Sequence, residues 1–368
     1  MEAGRTEVKA VILVGGEGTR LRPLTCNIHK AMVPVLNKPF LEHMIHYLRG
    51  YGVDDIVLTL CHLPEHIKDY FADGSKFGVK LSYVIEESPL GTAGAVKNAE
   101  SYLDGLFFVF NGDILTDIDL RAMLSFHRQR RAKATIALTP VEDPTSYGVV
   151  ETDPQGKVKR FVEKPSRGEA TTNLINAGIY ILDQEILQDI PPNTPLMFER
   201  HIFPALLAKG MPIYGFPSHA YWIDIGTPEK YLQMHHDLLQ GKSTATLCSQ
   251  IRDKEISRQA LIHPTAEIEG SVIIGNGCSI GPGVRITGPA VIGEGSKILD
   301  QAKIEGAVLW RNVQIGKQAT LKDCIIGDNS SIGDGSFIAH GSVIGDNVII
   351  SEGSQPSPGT KIWPDTKI

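Results

Sequence analysis

The sequence predicts an α/β domain built on a mostly parallel sheet, followed by a parallel β-helix of hexapeptide repeats. Three observations carry this. Short apolar runs alternate with amphipathic segments from about residue 8 to residue 239. A glycine-rich loop follows directly on the first apolar run. From Ala260 onward a large apolar residue returns at nearly every sixth position. A strand–helix alternation places helices on both faces of a parallel sheet. A fixed short period marks a solenoid.

The first apolar run, residues 10–14, reads as a buried strand. Further strands are expected at 56–60, 81–85 and 106–111, with helices between them at 64–72 and 92–103. Sheets of this kind bind ligands at the carboxyl ends of their strands. The loop after the first strand is therefore on the ligand edge. It runs Leu13-Val14-Gly15-Gly16-Glu17-Gly18-Thr19-Arg20-Leu21-Arg22-Pro23-Leu24-Thr25. Glycine leaves backbone N–H groups uncovered and tolerates positive φ. Arg20 adds a planar cationic fork that suits phosphate oxygens. No Gly-Lys-Ser/Thr closes the loop, so it is not a P-loop. Leu21 stands where a dinucleotide fingerprint needs its third glycine. Arg20, Arg22, Pro23 and Thr25 in register, then Lys30, separate it from an ordinary strand-to-helix turn and point to phosphate.

Other strand ends carry charge. Asn111-Gly112-Asp113 closes an aromatic-rich run. Asp113 can ligate nucleotide-bound Mg²⁺ as a hard oxygen, or serve as a turn residue. Asp224, in Tyr221-Trp222-Ile223-Asp224-Ile225-Gly226-Thr227, offers a second such carboxylate or belongs to the N-cap region of the next helix. Glu163-Lys164-Pro165 reads as a phosphate grip or as a solvated strand end. In Glu86-Glu87-Ser88-Pro89-Leu90-Gly91-Thr92-Ala93-Gly94, the glycines open a helix.

The repeat runs Ile262, Ile268, Ile274, Ile280, Ile286, Ile292, Ile298, Ile304, then Trp310, Ile315, Leu321, Ile326, Ile332, Ile338, Ile344 and Ile350. A smaller residue stands two places before each, as Ala302 does before Ile304 and Val308 before Trp310. The steps into Val313 and Cys324 are read as shortened to five. Each hexad supplies one flat strand and one corner, and the large residues stack inward. The expected boundaries are 8–240 for the α/β domain, 241–259 for a polar linker, 260–352 for the β-helix and 353–368 for a tail that folds back or frays.

Bulk composition sets limits. The chain has 368 residues, 42% hydrophobic and 21% charged, as in globular proteins. A net charge of −6 argues against a broad nucleic-acid surface. No apolar run is long enough to span a bilayer, and residues 1–7 carry no apolar signal region. Five cysteines without a Cys-x-x-Cys pair read as reduced thiols of a cytoplasmic protein.

The glycine loop, with Pro23-Leu24-Thr25 behind it, resembles the signature of the sugar-1-phosphate nucleotidyltransferases, and their mannose-1-phosphate guanylyltransferase branch above all. That family continues Pro-Lys-Pro where this chain has His29-Lys30-Ala31; the lysine is kept and both prolines are gone. The resemblance implies a Rossmann-like domain and a left-handed β-helix of three hexads per coil. It assigns catalytic roles to Arg20, Lys30, Asp113, Lys164 and Asp224, with Asp113 and Asp224 holding Mg²⁺. Nucleotide contacts fall on Leu13, Gly15, Gly16, Gly18, Thr19, Glu86, Pro89, Gly91 and Thr92, and sugar-phosphate contacts on Gly148, Glu163, Lys164 and Asn176. Glu86 or Glu87 would read the guanine N1–H and amine.

The implied reaction takes an NTP, GTP first, and a hexose 1-phosphate, mannose 1-phosphate first, to a nucleotide sugar and pyrophosphate. Glucose-1-phosphate uridylyl-, thymidylyl- or adenylyltransferase activity is the alternative. A silent regulatory relative would have lost the loop charges, which this chain retains. An acyltransferase would use His340, which lies well inside the repeats. Self-association is expected, with the β-helix as its surface.

Overall fold

The computed structural model describes residues 8–166, 168–243 and 254–368. They form two compact units, divided after Gly16, after His43 and after Trp222. Segment 17–43, with most of the glycine loop, therefore belongs to the unit that contains residues 223–368.

The first unit is built on nine strands: β1 (Lys9–Val14), β2 (Asp55–Leu60), β3 (Lys80–Ile85), β4 (Leu106–Asn111), β5 (Ala134–Pro140), β6 (Gly148–Thr152), β7 (Val158–Glu163), β8 (Leu174–Asp183) and β9 (Ile213–Pro217). They are ordered β7-β6-β8-β4-β1-β2-β3, while β5 pairs β8 and β9 pairs β5. Neighbours from β3 to β4 run parallel, and β8 turns antiparallel to β4. β1, β2 and β4 are almost wholly buried aliphatic and aromatic runs, as a sheet covered on both faces requires. The helices of the two units are α1 (Phe40–Gly50), α2 (Pro64–Phe71), α3 (Gly91–Asn98), α4 (Leu120–Arg130), α5 (Phe203–Ala208) and α6 (Pro228–Leu239), of which α6 belongs to the second unit and α1 crosses the division. The helix expected over 92–103 stops at Asn98, and Glu100–Tyr102 is a separate 3₁₀ turn.

In the second unit the β-helix has three walls. The first contains Val272–Ile274, Ala290–Ile292, Val308–Leu309, Ile325–Ile326 and Val343–Ile344, all parallel. It begins earlier than expected. Lys254–Ile256 pairs with Val272–Ile274, so a first strand lies inside the stretch read as linker. Residues 244–253 of that stretch lie outside the described residues. It also ends later: Lys361–Ile362 in the expected tail pairs with Val343–Ile344, and Ile362 is buried.

One register differs from the expectation. Leu309, not Trp310, pairs with Ile292 and Ile326 and joins the inward column, preceded by the small Ala307. The five-residue steps therefore lead into Ala307 and Cys324. They stack on one edge of the coil, between the third wall and the first. A single large residue beside another large one, Leu309-Trp310, left the phase ambiguous in the sequence.

The first wall also differs in its outward side chains. Ile273, Val291, Val308, Ile325 and Val343 alternate with the inward column and yet are buried. On the other walls the corresponding positions are Ser279, Lys297, Gln314 and Ser331, or Arg285, Lys303 and Thr320. From the same unit, α6 and segment 17–43 reach the first wall. His236 Nε2 donates to Gly306 O at 2.8 Å, and Asn37 Nδ2 donates to Ile292 O at 3.1 Å. We expect Leu309→Ala to destabilise the β-helix by about 3 kcal/mol in urea unfolding, as burying a cavity in an aliphatic column does.

Candidate active site

Unit two draws three of the predicted catalytic residues together. Gly18 (φ 67°) starts a 3₁₀ turn over Thr19–Leu21. A methyl on Gly18 would lie 2.9 Å from Lys30 Cβ, so glycine lets the loop rest on the lysine stem. Thr25 Oγ1 donates to Gly18 O at 2.7 Å and closes the loop. Lys30 opens a second 3₁₀ turn, Lys30–Met32, capped by His29, whose Nδ1 accepts the Ala31 N–H at 3.0 Å. The non-proline Ala31 supplies the N–H that makes this cap, which restrains the loop where prolines are missing. Lys30 Nζ stands 4.0 Å from Asp224 Oδ1, with side chains 11% and 13% exposed. A methyl on Gly226 would fall 2.9 Å from Arg20 Nη2 and 3.0 Å from Asp224 Oδ1. Guanidinium and carboxylate therefore flank one bare stretch of backbone. Thr19 and Arg20 are exposed.

The N-cap of α6 is Thr227, whose side chain accepts the Lys230 N–H at 3.4 Å. This decides the question the sequence left open for Asp224. The carboxylate ends the strand Trp222–Asp224 and faces Lys30 instead of capping the helix.

Unit one holds the remaining predicted residues. Leu13 and Asn111 are register partners at the carboxyl ends of β1 and β4. The Gly112 N–H donates to Leu13 O at 2.9 Å, and a methyl there would meet that oxygen at 2.5 Å. Asp113 follows in the turn, partly buried, and Asn111 Oδ1 is buried with no hydrogen-bond partner among the described residues. Gly16 is exposed, while a methyl on Gly15 would stand 3.5 Å from Glu86 Oε1. Glu86 is buried and accepts the Leu90 N–H at 2.9 Å. Burial raises its pKa, opposed by that backbone bond. Glu87 and Pro89 are exposed.

The helix opened by Gly91 is tightly engaged. Ala93 and Gly94 N–H groups both donate to Leu196 O, at 2.9 and 3.2 Å. Methyls on Gly91 and Gly94 would strike Leu196 O at 2.6 Å and Thr194 O at 2.5 Å. Thr92 Oγ1 donates to Glu199 Oε2 and accepts the Phe198 N–H, each at 2.9 Å. Chain packing thus explains Gly91, Thr92 and Gly94 here, and a nucleotide contact by Gly91 or Thr92 rests on the resemblance alone.

Glu199 is the residue that sequence reasoning missed. It is buried in the π-helical turn Phe198–Ile202 and also accepts from Tyr180 Oη at 2.9 Å. Asn176 Nδ2 in turn donates to Tyr180 Oη at 2.8 Å, and Asn176 Oδ1 accepts the Gly178 N–H. The polar chain Asn176–Tyr180–Glu199–Thr92 therefore joins β8 to α3. One signal was present: a single acid between Phe198, Ile202 and Phe203 on an apolar face. Glu163 closes the group. Its pKa is raised by burial and by Glu199, and lowered by Lys164 and Arg200. A methyl on Gly148 would come within 2.9 Å of Glu163 Oε2. Lys164 is exposed at φ 50°, its N–H bound to Tyr147 O at 3.0 Å. Tyr147 meets Trp222 edge-on, and Trp222 Nε1 donates to Ala177 O at 2.9 Å. His340, by contrast, is 80% exposed beside Asp323 on the β-helix surface.

This chain belongs to the nucleotidyl transferase family, whose model matches residues 9–241. A second match, to the EIF2B subunit epsilon LbH domain, covers residues 254–355 and agrees with a left-handed β-helix. The chain is 39% identical to mannose-1-phosphate guanylyltransferase of Mycobacterium tuberculosis, over 76% of this chain and 78% of that one. It is 36% identical to UTP–glucose-1-phosphate uridylyltransferase of Synechocystis, over 87% of each. Among solved structures, HddC from Yersinia pseudotuberculosis complexed with GMP-PN is 34% identical, with a TM-score of 0.54 over 61% of this chain and 97% of that one. The protein is a sugar-1-phosphate nucleotidyltransferase. Among the described residues no helix is long and apolar enough to cross a membrane.

The raised pKa of Glu163 has a stability consequence. Folding holds its proton more tightly than the unfolded chain does, so the ionised form is a cost that appears as pH rises through the carboxylate range. Glu163→Gln should therefore melt higher than wild type at pH 8. The difference should vanish near pH 4, about the unfolded carboxylate value, when melting is followed by circular dichroism.

Proposed function

We propose that this enzyme transfers a guanylyl group from GTP to mannose 1-phosphate, giving GDP-mannose and pyrophosphate, with Mg²⁺. The observation that carries the chemistry is the gathering of Arg20, Lys30 and Asp224 around one glycine-lined loop. Support for the substrates comes from the Pro89-Leu90-Gly91-Thr92-Ala93-Gly94 segment and from the relatives named as guanylyltransferases. The Synechocystis relative favours a second reading, uridylyl transfer to glucose 1-phosphate.

The nucleophile is a phosphate oxygen of the sugar phosphate, attacking the α-phosphorus of the NTP. A phosphate monoester has a second pKa of about 6, so it is ionised at pH 7 without a general base. The obstacle is repulsion between two polyanions. Two unit charges about 4 Å apart cost about 4 kcal/mol at an effective dielectric near 20. Cations and alignment supply the catalysis. In this reading Arg20 and Lys30 hold the triphosphate and the departing pyrophosphate, and Lys164 grips the sugar phosphate. Glu163 and Asn176 accept and donate to sugar hydroxyls, with Gly148 leaving room for the ring. Leu13, Gly15, Gly16, Gly18, Thr19 and Pro89 line the nucleotide, and Glu86 is the base-reading carboxylate.

Asp113 and Asp224 are the proposed metal ligands. The donor set fits Mg²⁺: Asp113 and the unbonded Asn111 Oδ1 offer hard oxygens at one strand end. No cluster of three His, Cys, Asp or Glu side chains forms a cage among the described residues, so phosphate and water oxygens would complete the shell. Mg²⁺, when bound, neutralises phosphate charge and polarises the α-phosphoryl group. We further propose a cytoplasmic enzyme that self-associates through its β-helix.

Pyrophosphate release, measured across a matrix of NTPs and hexose 1-phosphates with Mg²⁺, should be greatest for GTP with mannose 1-phosphate. Preference for UTP or dTTP with glucose 1-phosphate would overturn the substrate assignment. Asp113→Asn should keep the fold and lower kcat about a hundredfold or more. Lys164→Ala should mainly raise KM for the sugar phosphate, about tenfold or more, as loss of a charge-assisted hydrogen bond does.

A further inference from the structure

At the corner where the first wall ends, successive coils carry Gly275, Gly293, Trp310, Gly327 and Gly345. The corner is so tight that a methyl on Gly293 would fall 2.2 Å from Trp310 O. Trp363 follows Gly345 in the same row, on the coil of Lys361–Ile362, and is 53% exposed; the Trp310 ring is excluded from the inward column. It is nevertheless 2% exposed. Its indole N–H donates to Tyr231 Oη on α6 at 3.0 Å. Tyr231, fully buried, donates in turn to Pro34 O. Pro34 directly follows Val33, whose N–H closes the Lys30–Met32 turn on Lys30 O.

We propose that the β-helix acts as a brace for the reaction, with Trp310 and Tyr231 as positioning residues that hold the loop carrying Lys30. This rests on the catalytic role given to Lys30 above. A second tie reaches the same wall farther along, where Pro34–Val35 pairs antiparallel with Lys38–Pro39 in a short hairpin. Leu36 and Asn37 form its tip with φ of 49° and 66°, and Asn37 donates to Ile292 O. His43 Nε2 donates to Val35 O at 2.8 Å. The loop is therefore held at Pro34, Val35 and Asn37, while Lys30 faces Asp224. At the same corner Trp363 stays exposed, whereas Trp310 is buried with its indole N–H on the tyrosine.

Tyr231→Phe removes one oxygen, deletes both hydrogen bonds and keeps the ring. In the full-length protein, hydrogen–deuterium exchange should rise about tenfold in a peptide covering 28–36, while strands of the β-helix and of the nine-stranded sheet stay protected. In parallel, kcat for pyrophosphate release should fall about tenfold, with KM for the hexose 1-phosphate unchanged. Exchange that is unaltered in 28–36, or raised equally throughout, overturns the brace. If Tyr231→Phe does not fold, Trp310→Phe decides by the same exchange measurement, since it removes the wall's donor and leaves the tyrosine's own bond to Pro34 O in place. Wild type that releases no pyrophosphate with any substrate pair would sink the role of Lys30, and exchange would still decide the brace.

Discussion

An ammonium and a carboxylate that are both nearly out of water cost less when opposite charge is held close to each. Lys30 and Asp224 meet that condition at 4.0 Å, and much of the second unit serves to keep them there. Gly18 lies on the lysine stem, His29 caps its turn, and Gly226 admits Arg20 beside the aspartate. Charges fixed in advance need no reorganisation when an anion arrives, which is where electrostatic catalysis gains most. A looser loop would let water fill the space and screen the same charges.

The first unit solves a different problem with the same economy of buried polar groups. Glu199, Tyr180, Asn176 and Thr92 satisfy one another in a chain of hydrogen bonds. Glu163 lies close enough to Glu199 for that carboxylate to help raise its pKa, after burial. A network of this kind is stiff, because leaving any member unpaired is costly. The glycines at the start of α3 belong to the same construction, because they let segment 194–196 lie against the helix.

What the sequence made legible follows from range. The hexads and the parallel strands are local, periodic signals, so the architecture and the carboxyl-edge placement of Asp113 could be read directly. Roles set by distant partners could not. Asp224 read equally as a ligand or as part of the N-cap region, and only the helix start, capped by Thr227, separates the two. The packing demand on Gly91 and Gly94 was hidden because the carbonyls that impose it come from a hundred or so residues away. Glu199 carried a faint signal, one acid on an apolar face, whose meaning depends on Tyr180 and Thr92. The phase slip at Leu309 came from two adjacent large residues that only strand pairing can rank.

That slip is informative about the solenoid itself. A stacked repeat needs only its inward column and small corners, so departures from the pattern ask for a reason outside it. Here the departures cluster. The shortened corner before Ala307 contains Gly306, whose carbonyl receives His236 from α6. Four residues on, Trp310 interrupts the glycine row and reaches Tyr231 on the same helix. The strands on either side keep their register, Ile304 with Leu321 and Leu309 with Ile326, so the missing residue is absorbed wholly at the corner. The repeat has thus been bent out of its rule on the one wall whose outward side chains are aliphatic and buried. A wall that served assembly or spacing alone would have no need to distort there. One that holds α6 and segment 17–43 would.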